Sequence, residues 1–328
     1  MSKIAVLNEF SIEAIRDALQ KLNAFDKLKI NGLYAHQLTE LKAIDPELFV
    51  EISDMIKSDR WFPYAGAWNN SAELSEIALV KSCLYSVRYF LDNFGKKYRV
   101  FHGKKIYNNL LPQTVYSSLF DAVVLDDEKE SKWLQGADDF RTLVMTAETV
   151  DVTDIDDEFI KENKFISYED LADVFFESHL DLETVTLPMC NIKPEGFEKD
   201  LADAEMLSAI NGDDKTDKIR EAWIAYFDGE SEKAREIADS ISGGKAPDIG
   251  KIELHGDGVV LTEVKLSEDG SGDTVVRVAE ICGKEQSAYI MYNRLNSGFR
   301  FEIMPYEMPT FRITSDGSGY AKEIYICE

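Results

Sequence analysis

The chain has 328 residues, of which 45% are hydrophobic and 11% aromatic, enough for two or three domains with packed cores and too apolar for a disordered polymer. Its 61 acidic side chains outnumber 36 basic ones, and the formal charge of −25 repels nucleic-acid phosphates and anionic lipid headgroups, which argues against both as partners. The cysteines, Cys83, Cys190, Cys282 and Cys327, form no CxxC and suggest neither a disulfide framework nor a thiolate zinc site, as expected for a reducing compartment. The apolar stretch after Met1 is too short for a signal-peptide core, and no later segment has the length of a membrane span, so a cytoplasmic location is expected.

In chain order, apolar positions at Ile12, Ile15, Leu19 and Leu22 have helical spacing, with Ser11 as N-cap and Glu13 in the first turn. Two more amphipathic stretches occupy residues 34–58 and divide at Asp45-Pro46, where Pro46 suits the first turn of the second helix. Residues 73–94 read as the strongest helix, closed by Gly95. Short β-rich runs follow at Tyr98–Phe101, Ala122–Leu125 and Thr142–Thr146, with a helix predicted at 113–119. That alternation argues a layer of parallel strands.

Residues 151–196 are acidic and turn-prone, with a helix at 167–178, and read as an insertion or connection between domains. Residues 197–242 hold two or three helices that form a small helical segment. Ser242-Gly243-Gly244, followed by Pro247, reads as a linker. Residues 250–328 then supply five or six short strands, from VVLTEV to TFRI, which predict an antiparallel sheet or small sandwich.

General motifs of chemistry are missing: the chain has no GxGxxG, no P-loop, no HExxH and no GxSxG. His36, His102, His179 and His255 are isolated from one another, a pattern of single structural or surface roles more than of a metal site. Lys96-Lys97 and Lys104-Lys105 read as solvated loop charge, as do acidic pairs such as Asp126-Asp127, Asp138-Asp139 and Asp156-Asp157.

The arrangement of several segments is more informative. Residues 46–68 read PELFVEISDMIKSDRWFPYAGAW, residues 79–94 read LVKSCLYSVRYFLDNF, and residues 111–113 read LPQ. This order resembles the first domain of the family 38 glycoside hydrolases, the retaining α-mannosidases. FEKDLADAEMLSAI resembles the helical segment behind that domain, VVLTEVKLSEDGSGDTVVRVAEICGK a later strand pair, and FEIMPYEMPTFRI the closing strands.

The resemblance implies a zinc enzyme, yet the residues that would carry its chemistry are absent. The family opens with a His-x-Asp motif holding two zinc ligands, and no His-x-Asp occurs in residues 1–150 here; His179-Leu180-Asp181 and His255-Gly256-Asp257 come later in the chain. Its nucleophilic aspartate stands a few residues ahead of LPQ, where this sequence has Gly103 or the lysines after it. A later zinc-binding histidine corresponds to the segment Met189-Cys190-Asn191. Losing the zinc removes an electrostatic clamp on the sugar, and losing the nucleophile removes the covalent route. Lysines near that site would place positive charge beside an oxocarbenium-like transition state.

The expected fold is therefore an α/β N-terminal part over residues 1–150, a reduced β/α barrel-like layer, then a short α-helical middle and an antiparallel β C-terminal domain. An incomplete barrel leaves strand edges uncovered, so the layer must rearrange into a compact sheet or bury the surface in a homo-oligomer. The expected function is a non-catalytic α-mannosidase-like protein that binds a carbohydrate or a protein partner, which includes association with a full-length homologue. No cofactor is expected. Candidate ligand-binding residues are Trp61, Trp68, His102, Tyr107, Asn108 and Gln113, with Asn109 beside them, because flat rings stack on pyranose C–H faces and amides bond hydroxyls. Against this, Trp68 could be core packing, and the amides could cap the helix after Pro112. Two other functions stay open: a working glycosidase rebuilt on Asp121, Asp126 or Asp127, and an assembly module without a ligand.

Overall fold

A computed structural model describes residues 2–69, 74–103, 119–125, 128–135, 141–178, 181–186, 196–245, 247 and 251–324. The α/β part contains β1 (Ser2–Val6), α1 (Ile12–Ala24), β2 (Ile30–Asn31), α2 (Ala35–Ile44), α3 (Pro46–Lys57), β3 (Trp61–Phe62), α4 (Glu76–Phe94), β4 (Val100–Gly103), β5 (Ala122–Leu125), β6 (Lys132–Gln135), β7 (Arg141–Met145) and β8 (Thr149–Asp151). It continues through α5 (Asp157–Glu162), β9 (Lys164–Phe165), α6 (Tyr168–Ser178) and β10 (Thr184–Thr186). The helical segment is α7 (Gly196–Asn211), α8 (Thr216–Phe227) and α9 (Ser231–Ser242). The last part is all strand: β11 (Ile252–His255), β12 (Val259–Leu266), β13 (Thr274–Glu280), β14 (Gln286–Tyr292), β15 (Ser297–Ile303), β16 (Thr310–Ile313) and β17 (Ala321–Ile324).

The local signals do what they predict. The Ser11 hydroxyl accepts from the Ala14 amide at 3.2 Å and starts α1. The Asp45 carboxylate accepts from Leu48 at 3.1 Å, with Pro46 at the first position of α3. Gly95 ends α4 in the left-handed conformation. The helix predicted at 113–119 lies almost wholly outside the described residues.

The strands form a circuit of parallel pairings. β1 lies between β2 and β8, and β2 pairs with β3. Three residues past β3, Ala65 bridges Phe101 in β4, and the His102 amide donates to the Ala65 carbonyl at 2.7 Å. β4 pairs with β5 and β5 with β7, and Thr146-Ala147-Glu148 then lead from β7 into β8, back beside β1. Gly66 makes the approach of β3 to β4 feasible: its φ is +142°, and a Cβ there would sit 2.8 Å from the His102 carbonyl oxygen.

Alternation along these strands sorts their side chains onto two faces. Ile4, Val6, Val100, Ala122, Val124, Leu143 and Met145 share one core. Ala5, Leu7, Phe101, Val123, Leu125 and Val144 belong to the other, with the buried sides of α1 to α4. Tyr168 and Ala172 of α6 complete the first core, with Leu171, Phe175 and Phe176 packed on it. Residues 151–178, which read as a connection, are thus built into the α/β unit: they finish β8, add β9 and cover the inner face with α6.

The helical segment also shares the large core, through Leu201, Ala204, Ile219, Trp223 and Phe227. α7 reaches the β part as well, where the Tyr292 hydroxyl donates to the Ala209 carbonyl at 3.0 Å. Two antiparallel sheets, β11-β14-β15 and β12-β13-β16-β17, bury a common core that includes Val276, Ile290, Tyr292 and Phe311. β11 and β17 extend the strands read from the sequence.

Where these parts meet, four charged side chains are buried. Lys81 of α4 reaches the Glu263 carboxylate of β12 at 2.5 Å and also holds Glu205 of α7, while Arg277 of β13 takes the second oxygen of Glu263. Burial pulls the Lys81 ammonium down, but the two carboxylates outweigh it, and its pKa is raised. Among the described residues, no helix is long and apolar enough to cross a membrane.

Candidate functional site

In parallel α/β layers, ligands bind beyond the carboxyl ends of the strands. The ends of β1, β2, β3 and β4 here surround a cleft of about 370 Å³. Asn8, Glu9 and Phe10 follow β1, Leu33, Tyr34, His36 and Gln37 follow β2, Tyr64 and Asn69 follow β3, and His102 closes β4; Thr149 and Tyr168 complete the wall.

The chain reaches this geometry through strain after β2. Leu33 has a φ of 74°, rarely adopted by a residue with a Cβ, and its carbonyl accepts from the Tyr64 amide at 3.0 Å. The turn delivers Tyr34 to the cap of α2, where the Gln37 side chain accepts from the Tyr34 amide at 2.9 Å. The Tyr34 hydroxyl then shares a hydrogen bond of 2.8 Å with His102 Nδ1. Tyr64 stacks on the His102 ring with centroids 3.9 Å apart and planes 8° from parallel. Tyr34 and Tyr168 lean on the same cluster, at 6.0 and 5.6 Å from the His102 ring.

Both histidines are neutral near pH 7. Burial pushes His102 down to about 3. Burial also lowers His36, against the opposing pull of its hydrogen bond to Trp68 and of the Asp228 and Glu40 charges. His36 Nδ1 lies 3.0 Å from the Trp68 carbonyl oxygen. A carbonyl only accepts, so Nδ1 carries the proton and Nε2 is the accepting nitrogen. The cleft therefore combines phenol hydroxyls, neutral imidazoles and the amides of Asn8, Gln37 and Asn69, and Glu9 is the one carboxylate among its described lining residues.

Of the candidates read from the sequence, His102 lies in this cleft. Trp61 does not: it is fully buried in the core, with Nε1 donating to the Gly32 carbonyl at 2.9 Å. Trp68 is also buried, its Nε1 3.2 Å from an Asp228 carboxylate oxygen and its amide donating to Ser82 Oγ at 2.8 Å. It acts on the cleft through its carbonyl, by fixing His36. Tyr107, Asn108, Asn109 and Gln113 lie outside the described residues, as do Asp126, Asp127 and Met189-Cys190-Asn191. Asp121 precedes β5 at the opposite end of the strand, 3.6 Å from Arg99, which takes it away from the mouth. Tyr34, Tyr64 and Tyr168 escaped the sequence reading, their only advance signal an aromatic residue just past each short strand, and His36, read as an isolated structural or surface histidine, also lines the cleft.

Zinc is the metal that the resemblance implies. Among the described residues no group of three or more histidine, cysteine, aspartate or glutamate side chains is placed to hold a metal ion, so those residues by themselves do not make up a zinc centre.

No protein-family model matches the chain, and no curated protein does. Solved structures match it across nearly all of its length. An α-mannosidase from Enterococcus faecalis V583 superposes with a TM-score of 0.54 at 11% identity, covering 95% of this chain and 55% of that one. A protein in glycosyl hydrolase family 38 from Enterococcus faecalis gives a TM-score of 0.53 at 11% identity, covering 95% of this chain and 54% of the other. The likeness is one of fold: a mixed α/β N-terminal region, several helices, and antiparallel sheets toward the C-terminus. The chain spans about half the length of the two structures.

Proposed function

We propose that the chain is a non-catalytic α-mannosidase-like protein that binds a carbohydrate in the cleft at the mouth of the strand circuit. The observation that carries this reading is the chemistry of that wall. Hydroxyls, amides and uncharged imidazoles suit a neutral polyol, and the Tyr64 and Tyr34 rings suit its C–H faces. Retaining hydrolysis needs two carboxylates about 5 Å apart, and the described wall offers Glu9. Gly103, at the position matched to the family's nucleophile, adds support: a Cβ there would come within 2.5 Å of the Phe101 ring, so a functional side chain fits only if a buried aromatic moves.

The test pairs binding with turnover. Titration calorimetry with neutral monosaccharides, methyl α-mannoside first, is expected to show saturable binding that Tyr64→Ala weakens by about tenfold or more. Purified protein with and without added zinc is expected to leave an aryl α-mannoside intact. Chelator-sensitive turnover with stoichiometric zinc would overturn the non-catalytic reading. A flat titration across the sugars would overturn the binding one.

A further inference from the structure

We infer a second ligand site at the foot of the strand circuit, away from the mouth, shaped for an organic anion with an apolar body. The cavity there measures about 610 Å³, within the range of small-molecule pockets. One wall is the end of α1 and the turn after it, with Phe25 and Leu28; the other is the end of α5 and β9, with Ile160 and Phe165. β9 pairs with Ser2 and Lys3 at the start of β1, which places this cavity at the strand end opposite the mouth. Leu28, Ile160 and Phe165 are buried beneath it, so its floor is apolar.

The polar backbone of that wall is already occupied. Arg60 donates to the carbonyls of Leu22, Phe25 and Leu28 at 2.6, 2.7 and 3.0 Å, and the Asn163 amide donates to Phe159 at 2.9 Å. What the rim presents instead is charge, with Lys27, Lys161 and Lys164 set against Asp26. In a chain with 61 acidic and 36 basic side chains, a lysine finds a carboxylate easily. Neighbouring Lys3, Lys21 and Lys29 hold Glu148, Asp17 and Asp170 at 2.5, 2.8 and 2.7 Å. Lys27, Lys161 and Lys164 hold none among the described residues, and Lys161 lies instead 5.9 Å from the centre of the Phe25 ring.

Lysines often sit past helix ends to meet the last carbonyls. That account falls short here, because Arg60 takes those carbonyls at α1 and Lys164 belongs to a strand. Three like charges around an apolar floor call for an anion, and the floor calls for a hydrocarbon or aryl body attached to it. A carboxylate on such a body fits both demands; a neutral sugar or inorganic phosphate meets at most one.

Titration calorimetry on the full chain tests this with decanoate, below its micelle concentration, against decanol and acetate. Decanoate is expected to bind one to one, decanol about tenfold more weakly, and acetate not measurably. The triple variant K27Q/K161Q/K164Q changes exposed side chains, and a parent-like circular dichroism spectrum and urea midpoint establish that it is folded. It is expected to lose about tenfold in decanoate affinity while decanol binding stays unchanged. No decanoate binding, equal binding of decanoate and decanol, or parent-like affinity in the triple variant would each overturn the inference. None of these outcomes depends on whether a sugar binds at the mouth.

Discussion

The mouth of the strand circuit and the seam between the three parts of the chain both bury ionisable side chains, and they solve the problem in opposite ways. At the mouth, His102 is enclosed by Tyr34, Tyr64 and Tyr168, and burial drives it to the neutral form. At the seam, Lys81, Glu205, Glu263 and Arg277 are enclosed just as fully but face one another, and Lys81 and Glu263 keep their charges. Burial pushes a group toward its neutral form, as at His102 and Glu205, and is outweighed where opposite charges converge, as at Lys81 and Glu263, whose pairing ties together the elements that carry them. The first solution leaves neutral groups suited to a neutral ligand; the second fixes α4, α7, β12 and β13 together.

Breaking the seam gives the largest expected effect. Lys81→Met leaves two carboxylates in the interior with Arg277 as their remaining close partner, and is expected to destabilise the fold by about 3–5 kcal/mol in urea unfolding at neutral pH. Adding Glu205→Leu should recover much of that loss, because Glu263 keeps Arg277; a loss below about 1 kcal/mol for Lys81→Met would contradict the account.

Acid sharpens the contrast next. An unfolded His102 takes up a proton near pH 6.5, while the folded one waits until about 3, so between those values the unfolded chain binds more protons. Stability should therefore fall as the pH drops through that window, by at most about 1.4 kcal/mol per unit from this group. Glu268 adds to the fall below 4.5: burial pushes its carboxyl up, but Lys265, Arg220 and Arg88 outweigh it and hold it at about 2. His102→Gln should flatten the upper part of the urea-midpoint curve and leave the lower part in place.

Smaller effects come from single contacts. Tyr34→Phe removes one hydrogen bond to His102 and is expected to lower the thermal midpoint by the equivalent of about 1 kcal/mol. Arg16→Ala removes an exposed pair with Asp45 at 2.6 Å, and its urea midpoint should shift by less than about 0.5 kcal/mol, vanishing at high salt. An effect there rivalling that of Lys81→Met would undo the distinction between paired burial and paired exposure.

The helices and the C-terminal strands were legible because their signals are local. Ser11, Asp45-Pro46 and Gly95 mark helix ends by side-chain chemistry, and the strands from Val259 to Ile313 are long enough to show their pattern. β2 and β3 were not legible. Ile30–Asn31 and Trp61–Phe62 are two residues each and buried on both faces, so no alternation appears. The cleft was hidden for a related reason: Tyr34, Tyr64 and His102 come from three separate strand ends and meet only when Ala65 bridges Phe101. Trp68 bears on the cleft through its carbonyl, which fixes His36, while the residue itself is buried beside it. Residues 151–178 looked like a connection because acidic, turn-prone surface residues outnumber the few, such as Tyr168 and Ala172, that fill the inner face.

The pairing of β1 with β8 also has a consequence for the order of events on the ribosome. Ala5 is held on one side by Ile30 and on the other by Val150. The first partner emerges soon after β1, and the second only after more than a hundred further residues are made. Until then one edge of β1 has no strand beside it, and an open edge is a template for the wrong neighbour. A nascent chain stalled before β8 would thus expose an aggregation-prone intermediate, and the helix that covers the inner face, α6, arrives later still.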